Sequence, residues 1–522
     1  MSSNAHAERF ARGFRSRLLL ASEAHAWGRS IAVLALAFTV ITGCTTRARD
    51  ASPAPSAGTA TSRTNIADLA IRNVNLIDVQ AGVVRPAHTV LVTGDRIVAV
   101  DAASALASHA ATRTIDGVGQ YLMPGLWDMH VHLRGNGTPT WITTDWMLPL
   151  TFAFGVTGVR DMNGDCEQPS QGPVCLAALQ QLRADVEAGT QVGPRILAIS
   201  SFPIDPPFDY VMKPEQAKGV MEALAARGVD LIKIYNRLTP EGLRMIADEA
   251  RRLNMPIAGH VPLRVTAAEA SDAGFRSIEH ARDFLFDCFP GSAEFRRTTR
   301  SVEPPMALRR AMVEQHDPTL CAQTFAILVR NRTWYVPTHV TRRMDALAAD
   351  SAFRNDPRSR FVPKFVWDDW NRDADRMMAL DSSVGRTAMR GFYRKGLELT
   401  GAAHRAGVRV VLGTDAGDSY VFPGSAVHDE LGELVSAGLT PAQALRSATL
   451  DAAEFLRVEQ QYGSVMSGKR ADLLLLSANP LADIGHTRRI SAVIFGGVVS
   501  DRARLDSLLR AVETAVPRPI GR

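Results

Sequence analysis

From Ile66 the chain alternates apolar and polar residues with a period of two, in LAIRNVNLIDV (69–79) and in HTVLVTGDRIVAV (88–100), where Gly94-Asp95 marks a tight turn. This is the pattern of short antiparallel strands with one buried face. From about Tyr121 to Leu456 the pattern changes to short apolar runs separated by longer amphipathic stretches. The runs are LWDMHVHL (126–133), GVTGVRD (155–161), RILAIS (195–200), DLIKIY (230–235), MPIAGHV (255–261), RSIEHA (276–281), TWYVPTHV (333–340) and RVVLGTD (409–415). Helical spacing is clear in PEQAKGVMEALAARG (214–228), PEGLRMIADEARRLN (240–254) and PAQALRSATLDAAEFL (441–456). Eight repeats of strand then helix predict an α/β protein, a (β/α)8 TIM barrel.

The connections after the sixth and seventh runs are long, about 50 and about 70 residues, and are candidate lids or substrate walls. After Gln461 alternation returns in KRADLLLLS (469–477) and ISAVIFGGVVS (490–500). These strands are expected to join those near the N-terminus in a small β-sandwich domain formed from both chain ends. The predicted order is therefore a leader (1–43), a tether (44–65), the first part of the β-sandwich (66–120), the barrel (121–460), the second part of the sandwich (461–500) and a tail (501–522).

The leader rests on pattern and charge together. Arg9, Arg12, Arg15, Arg17 and Arg29 precede an apolar run from Ile31 to Ile41, which ends in Ile41-Thr42-Gly43-Cys44. That is a secretory pattern, and the run is about half of the roughly 20 residues that span a bilayer. Its last four residues resemble the bacterial lipobox, which implies a lipid on Cys44 and membrane attachment through it. Thr45 follows the cysteine, as in lipoproteins sorted to the outer membrane, facing periplasm or cell surface; a soluble periplasmic protein is the alternative. Residues 45–65 are rich in Pro, Ala, Ser and Thr and read as a flexible tether. The whole chain carries 59 Lys+Arg against 54 Asp+Glu, a formal +5, and without residues 1–43 the balance is 54 against 52. So small an excess argues against a nucleic-acid partner.

Among 522 residues, 46% are hydrophobic and only five are cysteine, which excludes disordered and disulfide-scaffold classes. In an oxidising compartment, Cys166–Cys175 and Cys288–Cys321 are the favoured pairs of three pairings, because each closes one connection; four free thiols are the alternative.

The chemistry gathers where a barrel puts its active site, at the C-terminal ends of the strands. His130 and His132 stand at i and i+2 of the first run and so share a face. Lys233 lies in the fourth run, His260 ends the fifth, His280 the sixth and Asp415 the eighth. Imidazole and carboxylate donors suit zinc, with cobalt or manganese in its place. Lys233 sits in an apolar strand, where a buried ammonium is costly. Either an ion pair with Asp230 or Glu279 offsets that cost, or carboxylation by CO₂ turns the amine into an anionic carbamate. Asp128 shares the face of the two histidines, Arg160-Asp161 reads as a structural pair, and the roles of His339 and His428 stay open. No P-loop, dinucleotide fingerprint or Gly-x-Ser-x-Gly elbow is present.

PGLWDMHVHL, the strand-four lysine, the two later histidines, the GTD at Asp415 and GSVMSGKRADLLLLSANPL together resemble the amidohydrolase superfamily over about residues 66–500. GVTGVRDM (155–162) and VDLIKIY (229–235) look like its branch of secreted dipeptidases and N-acyl-amino-acid hydrolases related to imidazolonepropionase. The resemblance implies two divalent metal ions, one held by His130, His132 and Asp415, the other by His260 and His280. Carboxylated Lys233 and a hydroxide would bridge them. Asp415 would carry the proton to the leaving amine, and Tyr235 would donate to the oxyanion or to a substrate carboxylate. The function so implied is amide hydrolysis of dipeptides or N-acyl amino acids, small-molecule substrates, with a homo-oligomer left open. A lactonase or cyclic-amide hydrolase uses the same site; a mononuclear deaminase would lack the strand-four lysine. A non-catalytic envelope binding lipoprotein is the reading from another class.

Overall fold

The computed structural model describes residues 66–133, 142–164, 175–380 and 383–516. The leader, Cys44, the tether and Cys166 lie outside the described residues.

The first strands are β1 (Ala67–Asp78), β2 (Val83–Thr93), β3 (Arg96–Ala102), β4 (Ala111–Asp116) and β5 (Tyr121–Pro124). Barrel strands follow: β6 (Leu126–Val131), β7 (Val156–Asp161), β8 (Arg195–Ile199), β9 (Ile232–Ile234), β10 (Ile257–Gly259), β11 (Phe275–Glu279) and β12 (Trp334–Val336). The chain then returns in β13 (Leu473–Leu476), β14 (Ile490–Phe495) and β15 (Val498–Asp501).

Strands from both ends share one eight-stranded sheet, ordered β15-β14-β13-β5-β1-β2-β3, with β4 also on β1. The seam is β13 against β5, antiparallel, Leu475 opposite Leu122. The period-two pattern has its physical cause here: Leu69, Ile71, Leu122, Leu473, Leu475 and Ile494 bury one shared apolar layer. A β-sandwich was expected from the alternation; the strands of both chain ends are connected edge to edge in one hydrogen-bonded path, whose β2–β3 turn returns to meet 468–471.

The barrel strands form two parallel arcs, β6-β7-β8 and β9-β10-β11-β12. Single bridges connect the arcs, Ser200 to Leu231 and Ile204 to Ile234. The eighth run, 409–415, forms no ladder, contrary to its strand-like sequence. It bridges only at Tyr335–Val410, and beyond its end Ala416 bridges Val131. Leu412 O accepts from Met129 N at 3.0 Å, and Asp415 N donates to His130 O at 2.7 Å. No continuous ladder therefore runs round the ring, although eight parallel segments surround it.

The helices follow their sequence signals. In Pro240–Arg252 the Thr239 hydroxyl caps Gly242 N, a proline opens the first turn, and Leu243, Ile246, Ala247 and Ala250 form the buried stripe. The stretch 441–456 is two helices rather than one, Pro441–Ser447 and Leu450–Leu456. The break frees two carbonyls for the barrel floor: Ser447 O takes Leu412 N and Ala448 O takes Trp127 N. The long connections are helical. Cys288 and Cys321 are joined as a disulfide across the first. The second sends helix Lys364–Ala379 over the loop that follows Asp415, where Trp367 and Trp370 pack against Tyr420.

Candidate metal centre

His130 is fully buried at the end of β6, while His132 lies just beyond the strand and keeps 29% of its side chain exposed. Asp415 Oδ1 lies 2.7 Å from His132 Nε2 and 3.3 Å from His130 Nε2. Among the described residues these three form the one His/Cys/Asp/Glu group that meets the spacing of a metal site, one ligand atom from each within 4.8 Å of the others. Lys233, in the centre of β9, is 1% exposed, and its Nζ is 3.3 Å from His130 Nε2. His280 Nδ1 lies 3.6 Å from Asp415 Oδ2. The His260 and His280 rings meet at 4.3 Å between centroids, and Tyr235 stands 4.0 Å from His260. All six expected ligands and Tyr235 thus converge on one end of the ring.

Backbone shape brings some of them there. His280 and Asp415 both occupy the left-handed region, at φ +76° and +64°, a strained conformation for non-glycine residues that clusters at functional sites. In regular strand, Glu279 and His280 would face opposite sides; the left-handed turn lets both point inward. Gly259, at φ +135°, precedes His260 where β10 presses on β9, and a Cβ there would lie 2.2 Å from Ile234 O. Only glycine fits.

Three of the four histidines have a hydrogen-bond partner on Nδ1. His130 Nδ1 donates to Glu279 Oε2 at 2.8 Å. His260 Nδ1 is 2.9 Å from Asn236 Oδ1, to which the Arg282 guanidinium also donates. His280 Nδ1 is 2.9 Å from the Thr338 hydroxyl. Such partners fix ring orientation and tautomer at metal sites. Asn236 and Thr338 were not singled out from sequence, and Glu279 only as a partner for Lys233, not for His130; Asn236 three residues after Lys233 and Glu279 beside His280 are the signal that was available.

Several expectations change. Lys233 makes no ion pair with Asp230, which instead binds Arg183 and caps Ile199 N. Arg160 does not pair with Asp161: fully buried, it forks onto both oxygens of Glu279 at 2.9 Å and donates to Ser277 and Met129 O. Asp161 accepts instead from the backbone of Leu133 and Asn163. Asp128 does support a ligand, through the backbone: it accepts from His130 N and from the N–H and hydroxyl of Thr414, pinning two ligand-bearing segments together. His339 does not reach the centre but bonds Thr400, and His428 bridges Thr487 and Phe154 O.

The electrostatics suit cation binding. Burial, reinforced by Lys233, lowers His130 to about 4, and burial also holds His260 and His280 well below the usual imidazole range. All three are then neutral ligands near pH 7. Burial raises the Asp415 carboxyl, but His130, His132 and His280 outweigh it and hold the acid well below its usual range. Burial lowers the Lys233 ammonium to about 8, against the pull of Glu279 and Asp415. Finally, His280 Nε2 is buried and has no hydrogen-bond partner. An orphaned imidazole nitrogen is costly, and a divalent ion would satisfy it. The residues fit a metal centre.

Comparison with known proteins agrees with this arrangement. A profile described as the amidohydrolase family matches residues 121–499. Adenine deaminase 3 of Rhizobium meliloti (strain 1021) is 28% identical over 113 residues, 19% of this chain and 19% of the deaminase. The match thus spans about a fifth of that relative's length. Among solved structures, an Xaa-Pro dipeptidase with methionine bound in its active site gives a TM-score of 0.59 at 21% identity, covering 83% of this chain and 99% of its own. The bottromycin amidohydrolase gives 0.63 at 21% identity, covering 86% and 90%. At such identities the structural likeness speaks to the fold, an α/β TIM barrel. The family profile covers well over half of the sequence, and on that ground the chain belongs to the amidohydrolase family.

Proposed function

We propose that this chain is a metal-dependent hydrolase of carbon–nitrogen bonds whose substrates are dipeptides or N-acyl amino acids. The observation that carries the reading is the convergence of four histidines, one aspartate and one buried lysine at the strand ends, with the buried His280 Nε2 left without a protein partner. His130, His132 and Asp415 would hold one divalent ion and His260 and His280 a second, zinc being the first choice. Lys233 would bridge them as a carbamate. Its lowered basicity supports this, since a neutral amine adds to CO₂, forming an N–C bond and releasing one proton. When bound, such ions supply hydroxide near neutral pH and polarise the scissile carbonyl.

The chain's own groups do the rest. Asp415, an ionised acceptor, takes the nucleophile's proton and returns it to the departing nitrogen. Tyr235 stays protonated because burial pushes its phenol upward, so its O–H is available to donate to developing negative charge or to a substrate carboxylate. Glu279, Asn236 and Thr338 keep the His130, His260 and His280 rings aimed. The similarity to an Xaa-Pro dipeptidase supports a dipeptide substrate.

A second reading, deamination, is favoured by the short match to adenine deaminase. The same proposal includes export with a lipid on Cys44, which Cys44→Ser should abolish in a palmitate-labelling assay. The test of function is metal content with a substrate panel of dipeptides, N-acyl amino acids, lactones and adenine. Two metals per chain and turnover of the amides are expected; one metal with adenine turnover supports the deaminase, and none after reconstitution refutes the hydrolase. Asp415→Asn should lower kcat by about 10²–10⁴-fold, the span of a general base.

A further inference from the structure

Glu430 is fully buried in helix Ser425–Ser436 and lies outside the ligand set. Its two carboxylate oxygens accept from the backbone N–H groups of His339 and Val340, each at 2.9 Å. Those residues open helix His339–Leu347, so the carboxylate satisfies donors that the helix itself leaves unpaired and meets the positive end of its dipole. The residue just before them is Thr338, at φ +49°. A β-branched side chain rarely adopts this conformation, which persists only where the surroundings over-determine it. Thr338 is itself fully buried, and its hydroxyl is the group that meets His280 Nδ1.

We infer that Glu430 is a positioning residue for His280: by clamping His339 N and Val340 N it holds Thr338 in the left-handed turn from which the hydroxyl fixes the His280 ring. The consequence is a defined tautomer. With Nε2 as the proposed ligand atom, buried and without a protein partner, Nδ1 carries the proton and donates to the Thr338 hydroxyl. Glutamine cannot replace Glu430, because an amide has one acceptor oxygen and would turn its NH₂ against the second N–H. The need for two acceptors explains why an acid is kept here, although burial raises it well above the usual range and both of its hydrogen-bond donors are uncharged N–H groups. This inference rests on the ligand role proposed for His280.

The test uses the full-length protein with ¹⁵N-labelled histidine, first metal-free. Wild type should show His280 protonated on Nδ1; protonation on Nε2 would overturn the inference without any variant. In Glu430→Gln the tautomer should become mixed, and in Glu430→Asp, which keeps the charge with a shorter reach, less so. Zinc competition against a chelator then gives affinities. One equivalent should weaken by about 10–100-fold in Glu430→Gln and in Thr338→Val, the range for lost partners of metal ligands. The other equivalent should be unchanged. A folded Glu430→Gln with wild-type tautomer and zinc affinity refutes the positioning role, and either glutamate variant that folds decides. If wild type binds no second zinc, the binuclear function fails, while the tautomer measurement still judges Glu430.

Discussion

Replacing Arg160 by Met should expose how much the buried support of His130 is worth. The guanidinium and Glu279 are each 0% exposed and joined by a two-pronged bond at 2.9 Å. Burial alone would raise the Glu279 carboxyl, yet Arg160, followed by His130, holds it near 2. Methionine has a similar length but no charge, so the variant leaves a dry carboxylate with Ser277, His130 and the Lys233 charge as its remaining support. Breaking a buried pair from one side costs about 3–5 kcal/mol. A chain longer than 250 residues shifts by about 2 °C per kcal/mol or less, so a loss of about 6–10 °C in Tm is the upper expectation. The variant's alternative is to protonate Glu279, which removes the acceptor from His130 Nδ1 and loosens that ring. Calorimetry on metal-free protein gives the first quantity and zinc competition the second. Arg160→Met with Glu279→Gln should recover part of the loss, because the orphaned charge is gone. A single variant within 1 °C of wild type, or a double variant as poor as the sum of its singles, would refute the reasoning.

Further predictions follow from single features. Gly259→Ala must relieve a Cβ 2.2 Å from Ile234 O and a φ of +135°; expected are a loss of more than about 3 kcal/mol and weakened zinc at His260, read by thermal unfolding and chelator competition. Burial lowers His428 to about 4, with Arg488 adding to it. Its folded pKa lies below the unfolded value, so the unfolded state takes up more protons between pH 6.5 and 4, and stability falls as pH drops through that window. His428→Gln should flatten the Tm–pH slope there, whatever its effect at pH 8. Converting Cys288 and Cys321 to serine opens a loop of sequence separation 33 and should cost about 3–4 kcal/mol by loop entropy; an unchanged Tm would mean the reduced chain is equally confined.

Much of the centre was legible because period and spacing encode direction. His130 and His132 at i and i+2, with Lys233, His260 and His280 at successive run ends, fall where a barrel would gather them. What escaped depends on backbone that breaks those periods. Glu279 was expected only as a partner for Lys233, because alternation assigns neighbours of a strand to opposite faces and only the left-handed turn at His280 brings both inward, where Glu279 meets His130. The eighth strand and the helix 441–456 failed for one shared reason. Leu412 N turns aside to Ser447 O, so the strand loses its ladder and the helix its continuity. Alternation reports one buried face without saying whether strands stack or lie side by side, so the connection of both chain ends through one hydrogen-bonded sheet was not legible in it.

The seam between β5 and β13 has a consequence for assembly. Leu122 pairs with Leu475, a contact spanning about 350 residues, the kind of non-local closure that slows folding. During synthesis every candidate ligand through Asp415 leaves the ribosome before Leu473 does. Until then one edge of β5 offers its N–H and C=O groups unpaired, an open template for a second chain. Residue Gly125 alone separates that edge from β6, so the open edge abuts the strand that carries His130. Premature termination anywhere between residues 416 and 472 would thus yield a product with the full ligand set and an adhesive edge, prone to aggregate before it can work.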